Sequence, residues 1–169
     1  PLALTQGEIR LNGWAVESRI YAEDPVRNFL PSIGRLVRYR EPETGEQQGR
    51  TIRVDTGVEE GGEISMFYDP MIAKLCTHGP DRLAAIDHMA WALDNFFIDG
   101  IEHNVPFLSA IMQNEKWRTG NLSTGFIAEE YPEGFAPRPP AAEERETLAI
   151  AAVFIDDLSN RRRREISGQ

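Results

Sequence analysis

The sequence predicts an α+β fold: an antiparallel β-sheet of barrel-sandwich type, then helices packed on it, then a detached C-terminal helix. Three observations carry this expectation. Apolar residues alternate at period 2 in the first half of the chain and switch to period 3.6 after Gly79, so strands come first and helices last. The strand candidates are short and separated by tight turns, which favours antiparallel pairing over βαβ units. Pro132 to Glu146, with Pro132, Pro137, Pro139, Pro140 and the run Glu143-Glu144-Arg145-Glu146, reads as a linker before one last apolar segment.

From Trp14 to Ala22, Trp14, Val16, Ser18, Ile20 and Ala22 alternate with Ala15, Glu17, Arg19 and Tyr21, which is a strand with one polar face. Glu23-Asp24-Pro25 and Pro31-Ser32-Ile33-Gly34 are turn chemistry. Arg35 to Tyr39 reads as a second strand, Glu41 to Gly49 as a surface loop without period, and Ile52 to Asp55 as a third strand. Glu59-Glu60-Gly61-Gly62 is a turn, and Glu63 to Phe67 and Met71 to Thr77 supply further strands around Asp69-Pro70. Beyond Gly79, Leu83, Ile86, Ala90, Leu93 and Phe97 mark a helical stripe, with Pro80 at its first position. Asp99-Gly100 breaks it. Asn104 is placed to cap a second helix over Val105 to Met112, and Ser123 or Thr124 a third that ends before Pro132. Thr147 to Arg164 is helical but apolar nearly all round, with arginines 161 to 164 suiting its C-terminal end. These boundaries predict a domain over 1–136, a linker over 137–146 and the opening helix of a truncated domain over 147–169.

The chain has 169 residues, 41% apolar and 27% charged, so it has the composition of a packed globular domain. Its net charge of −9 argues against nucleic acid and against a membrane surface as partners. No apolar run reaches the roughly 20 residues of a membrane span. With Cys76 as the one cysteine there is no internal disulfide, and a reducing compartment is expected. The absence of an initiator Met suggests a fragment.

Several residues could carry chemistry. Arg19, on the polar face beside Glu17 and Tyr21, is either an exposed strand arginine in a cross-strand ion pair or a fixed guanidinium aimed at an anion or a developing oxyanion, and periodicity alone does not choose. Asp69 before Pro70 is either a turn carboxylate or a catalytic one. Lys74 reads as a snorkelling lysine on an edge strand, in preference to a buried reactive amine. Cys76, His78, His88 and His103 are not spaced as a metal set, and Gly57, Gly61 and Gly62 do not form a phosphate loop.

Val16-Glu17-Ser18-Arg19-Ile20-Tyr21-Ala22-Glu23-Asp24-Pro25, followed by Phe29-Leu30-Pro31-Ser32-Ile33-Gly34, resembles the opening of the C-terminal domain of biotin carboxylases. Tyr68-Asp69-Pro70-Met71-Ile72-Ala73-Lys74-Leu75, Ile98-Asp99-Gly100-Ile101 and His103-Asn104-Val105-Pro106-Phe107-Leu108 agree in order and spacing. The resemblance covers about residues 8 to 135. Within that family, Gly62-Glu63-Ile64-Ser65-Met66 and the stretch Ser123 to Pro132 are most similar to the α subunits of propionyl-CoA carboxylases.

The resemblance implies a ligase that carboxylates biotin at the expense of ATP and bicarbonate. Arg19 occupies the family's arginine position, which stabilises the biotin enolate and contacts bicarbonate; Asp69 is implied as a group that orients it. Biotin would be carried on a domain outside this chain, and ATP with Mg or Mn would be held by an ATP-grasp lobe preceding Pro1. The implied partners are that lobe, the biotinyl domain and a carboxyltransferase β subunit, in bacterial cytoplasm or the mitochondrial matrix. The segment alone is expected to be inactive. The alternatives are another acyl-CoA carboxylase, acting on acetyl- or methylcrotonyl-CoA, and a non-catalytic interaction module.

Overall fold

A pleated strand sends successive side chains to opposite faces, and the first strand uses this to bury Val16, Ser18 and Ile20 while Glu17 and Arg19 stay exposed. The computed structural model describes residues 2–47 and 49–167. Its strands are β1 Trp14–Tyr21, β2 Glu23–Asp24, β3 Leu30–Pro31, β4 Gly34–Arg35, β5 Arg38–Arg40, β6 Gly45–Gln47, β7 Arg50–Thr56, β8 Glu63–Ile64, β9 Met71–Gly79 and β10 Phe97–Asp99. Its helices are α1 Arg82–Asp94, α2 Val105–Gln113, α3 Glu115–Thr119, α4 Phe126–Glu130 and α5 Ala142–Ser167. The architecture is α+β, as expected, with one four-stranded antiparallel sheet in the order β1-β9-β7-β6 and three two-stranded ribbons, β10-β5, β2-β3 and β4-β8.

The core of residues 2–136 lies between the four-stranded sheet and helices α1 and α2. Ile20, Ile72, Leu75 and Thr77 from the sheet meet Ile86, Met89 and Leu93 of α1, all fully buried. Each such aliphatic side chain contributes roughly 1.5–3 kcal/mol by leaving water. Thr77 is tolerated there because its hydroxyl donates to the Ala85 carbonyl at 2.8 Å, which ties sheet to helix. Phe107 of α2 anchors a second cluster, edge-to-face with Phe29, Tyr131 and Phe135 at 4.9–5.3 Å between centroids.

Several expectations are corrected. Arg35 to Tyr39 is not one strand: β4 pairs with β8 and β5 with β10, with Leu36 fully buried between them. The loop expected over Glu41 to Gly49 contains β6, whose ladder to β7 runs through backbone groups and needs no apolar alternation. The strand expected over Glu63 to Phe67 stops at Ile64, and Met66 and Phe67 are exposed. Helix α1 starts at Arg82, not Pro80, because Asp81 caps it by accepting from the Ala84 N–H at 2.9 Å. Its buried stripe is Ala85, Ile86, Met89, Ala92 and Leu93, whereas Leu83 is exposed and Phe97 belongs to β10. Asn104 is the N-cap residue of α2, as predicted, and its carbonyl accepts from the Leu108 N–H at 3.0 Å, but its side chain makes no capping bond. Helix α3, capped by Asn114, was not foreseen, and α4 begins after Gly125.

The chain divides into two compact units, Pro1–Ala136 and Pro137–Gln169. In the second, α5 begins at Ala142, so residues 142–146 are helical and not linker. The charged run is a first turn: the Ala141 N–H donates to Glu144 Oε2 at 2.6 Å, Glu144 pairs with Arg138 at 2.8 Å, and Glu143 and Glu144 complement the helix dipole. Leu148, Ile150, Val153, Phe154, Ile155 and Leu158 are exposed along it. Arg161 pairs with Asp157; the side chain of Arg164, and residues 168–169, lie outside what the structure describes.

Candidate functional site

The face of the sheet turned away from the core carries the chemistry-bearing residues. Antiparallel register puts Arg19 of β1, Lys74 of β9 and Asp55 of β7 on one rung, and Glu17, Cys76 and Arg53 on the next. A third rung holds Ala15, His78 and Thr51. Ala15, Glu17, Thr51, Arg53, Cys76 and His78 line a shallow depression on this face.

Arg19 leaves β1 with its side chain 59% exposed and its Nε 3.4 Å from Glu17 Oε1. Positions i and i+2 of a strand share a face, which is why Glu17 meets it. Tyr21, two residues further on the same face, and then Glu17 raise the Arg19 pKa, so the cation is secured. The second oxygen of Glu17 accepts from the Cys76 thiol at 3.8 Å. Burial, and after it the Glu17 charge, push the Cys76 thiol up, which keeps it protonated and unsuited to nucleophilic work. Arg53 pairs with Asp55 at 3.0 Å.

Asp69 lies in the turn before β9. Its Oδ1 accepts from the Met71 N–H at 2.9 Å, the local bond expected of a carboxylate before Pro70. Among the described residues no hydrogen bond joins Asp69 to Arg19. Its charge acts on Glu23 instead, whose pKa is raised by burial first and by Asp69 second. Lys74, on the interior strand β9 and not at an edge, points to the open face between the buried Ala73 and Leu75, as the alternation requires.

Two of the three histidines are engaged by backbone carbonyls. His78 Nε2 lies 2.6 Å from the Asn12 carbonyl and His88 Nδ1 2.8 Å from the His78 carbonyl, so each of these nitrogens carries its hydrogen. His103 is largely buried with Nδ1 unpartnered, and burial lowers its pKa. Among the described residues no group of three or more His, Cys, Asp or Glu side chains is gathered as for a metal ion. Among the described residues no helix is long and apolar enough to cross a membrane.

The ion pair of Arg19 is not cross-strand, as the sequence suggests, but lies within β1, because Glu17 at i−2 shares its face. The place of Cys76 beside Glu17 was not legible in the sequence, because the two are brought together only by the β1–β9 register.

The model of the biotin carboxylase C-terminal domain family matches residues 17–129. The propionyl-CoA carboxylase alpha chain of Ruegeria pomeroyi is 52% identical over 100% of this chain and 27% of its own length. The mitochondrial propionyl-CoA carboxylase alpha chain of Caenorhabditis elegans is 48% identical over 92% of this chain and 21% of its own. The chain thus spans about a quarter of the length of the curated relatives it matches. Among solved structures, the biotin carboxylase domain dimer of Hydrogenobacter thermophilus 2-oxoglutarate carboxylase, in complex with MgADP, ADP and bicarbonate, superposes with a TM-score of 0.71 at 39% identity, covering 78% of this chain and 28% of that one.

Proposed function

Because this chain belongs to the biotin carboxylase C-terminal domain family, we propose that it forms the C-terminal lobe of the biotin carboxylase component of a propionyl-CoA carboxylase α chain. The reaction is ATP- and bicarbonate-dependent carboxylation of biotin. The observation that carries the reading is Arg19: an exposed guanidinium held by Glu17 on a rigid strand, opposite Lys74, in a chain whose net charge is −9. The bicarbonate bound in the related 2-oxoglutarate carboxylase domain supports an anion as the ligand.

Biotin supplies the ureido nitrogen that accepts the carboxyl group. Arg19 fits that chemistry because its planar fork stays charged at any working pH and meets negative charge building on an oxygen without a proton transfer. It is proposed to hold bicarbonate and then to stabilise that developing charge. Glu17 engages the Nε side of the fork. Asp69 is proposed to shape the neighbourhood through the turn it closes and through its field on Glu23, not by touching Arg19. ATP and Mg or Mn are proposed to be held by an ATP-grasp lobe elsewhere in the longer chain.

The partners proposed are that lobe, a biotinyl domain of the same longer chain, and a carboxyltransferase β subunit docked through the region that α5 opens. The location proposed is the mitochondrial matrix for a eukaryotic source, in keeping with the mitochondrial name of the nematode relative, and the cytoplasm for a bacterial one. The test is to assay the full-length carboxylase carrying this segment with propionyl-, acetyl- and methylcrotonyl-CoA. Fastest turnover of propionyl-CoA is expected. Preference for another acyl group would reassign the substrate, and absence of bicarbonate-dependent ATP cleavage would leave only an interaction module.

A further inference from the structure

Asn104 is 6% exposed at the start of α2, yet its side chain caps nothing there. It is used on β1 instead. Its Oδ1 accepts from the Tyr21 N–H at 2.9 Å, its Nδ2 donates to the Arg19 carbonyl at 3.0 Å, and its own backbone N–H donates to the Tyr21 carbonyl at 3.1 Å. A carboxamide offers one acceptor and one donor side by side, as a peptide group does, so Asn104 satisfies the two β1 groups that a neighbouring strand would otherwise meet.

The location makes this more than a satisfied polar group. β1 is an edge of the four-stranded sheet, and an edge strand is held by a ladder on one side alone. That ladder is irregular here: Ile20 faces Ala73 and Tyr21 faces Met71, so Ile72 is an extra residue on β9. The backbone from 19 to 21 is thus least supported by β9 at the point where Asn104 grips it from the other side. Between the two gripped residues lies Ile20, fully buried, which anchors the strand to the core. A strand fixed on both edges and on one face can aim the Arg19 side chain in a single direction on the remaining face.

We propose that Asn104 is a positioning residue for Arg19: its carboxamide serves as a surrogate strand that fixes the backbone of residues 19–21 and thereby the direction of the Arg19 guanidinium. The proposal rests on the reading of Arg19 given above. It connects α2 to the site across 85 residues of sequence.

The test is a double-mutant cycle in the full-length carboxylase. Asn104→Asp keeps the size and the acceptor for Tyr21 while removing the donor to the Arg19 carbonyl. Misplacing a reacting group by about 1 Å costs on the order of a hundredfold. Asn104→Asp is therefore expected to lower kcat for biotin carboxylation roughly ten- to a hundredfold, with the KM for ATP within about twofold of the parent. In the Arg19→Ala background the same change is expected to cost less than about twofold, since the group it positions is gone. Equal losses in both backgrounds would mean a general structural role, and overturn the proposal. Normal kcat for Asn104→Asp beside an impaired Arg19→Ala would overturn it too, while leaving the reading of Arg19 intact. Normal kcat for Arg19→Ala would instead remove that reading, and the proposal with it. Asn104→Ser, which shortens the side chain away from both β1 groups, repeats the cycle if the aspartate variant does not fold.

Discussion

Lys74 of β9 stands directly across the ladder from Arg19 of β1, so two cations share one rung of the sheet's open face. Like charges directly opposed on neighbouring strands are destabilising. Here acidic groups flank the pair, Glu17 on Arg19 and Asp55 across from Lys74 on β7. The outcome is a local concentration of positive charge with its own counter-charges to the sides, open to an incoming anion.

Replacing Arg19 by Ala in the full-length carboxylase should remove a charge-stabilising donor while leaving nucleotide binding untouched. Loss of one such donor costs about 2.7–4 kcal/mol, or roughly a hundred- to a thousandfold in kcat. Steady-state assays of biotin carboxylation and of the KM for ATP check this. Near-normal turnover would return Arg19 to the part of a surface ion pair with Glu17.

His103 gives the fold an acid-sensitive point. Its pKa lies below the ordinary 6.5 because burial disfavours the cation, so as pH falls through 6.5 the unfolded chain takes up a proton that the folded chain resists. The folded state then binds fewer protons than the unfolded one, and stability decreases on acidification. Thermal unfolding between pH 7.5 and 5.5, ranges chosen as roughly one unit either side of the ordinary histidine value, should show a falling midpoint. His103→Leu should flatten that slope; an unchanged slope would mean other groups dominate.

Gly100 is required by geometry. Its φ of +102° suits glycine, and a methyl there would run into the Arg35 carbonyl and into Val37. Gly100→Ala is expected to destabilise by at least about 1–3 kcal/mol, the usual cost of a strained backbone. Urea unfolding measures it, and a change below about 0.5 kcal/mol, the size of an ordinary surface substitution, would contradict the argument.

Helix α5 should be the less protected one. A helix without burial on its apolar side is marginal in water, and Leu148, Ile150, Val153 and Phe154 are all more than half exposed. Amide hydrogen exchange should be faster over 149–158 than over 86–93 of α1, whose Ile86, Met89 and Leu93 are buried. Equal protection would mean that α5 has a cover of its own.

Amino-acid order alone puts Val16, Ser18 and Ile20 of β1 and Ala73 and Leu75 of β9 on the core face, because period 2 is a local property and a single buried face enforces it; Ile72, the extra residue at the register shift, is buried against that alternation. It also determined the residue types around Arg19, since motifs are contiguous text. What it left open was set by hydrogen bonds between distant segments. Arg35 to Tyr39 has strand chemistry, but only the tertiary fold splits it between β8 and β10, with Leu36 turned into the core. β6 carries no apolar pattern, since backbone pairing to β7 requires none. The charged residues 142–146 look like linker until Glu144 meets Ala141 and Arg138. Asn104 is the sharpest case: next to Val105 its composition says helix cap, and that local option was available. Tertiary structure decided otherwise for its side chain, because two backbone groups at the edge of β1 needed partners, and a carboxamide already at the start of α2 satisfied both at once.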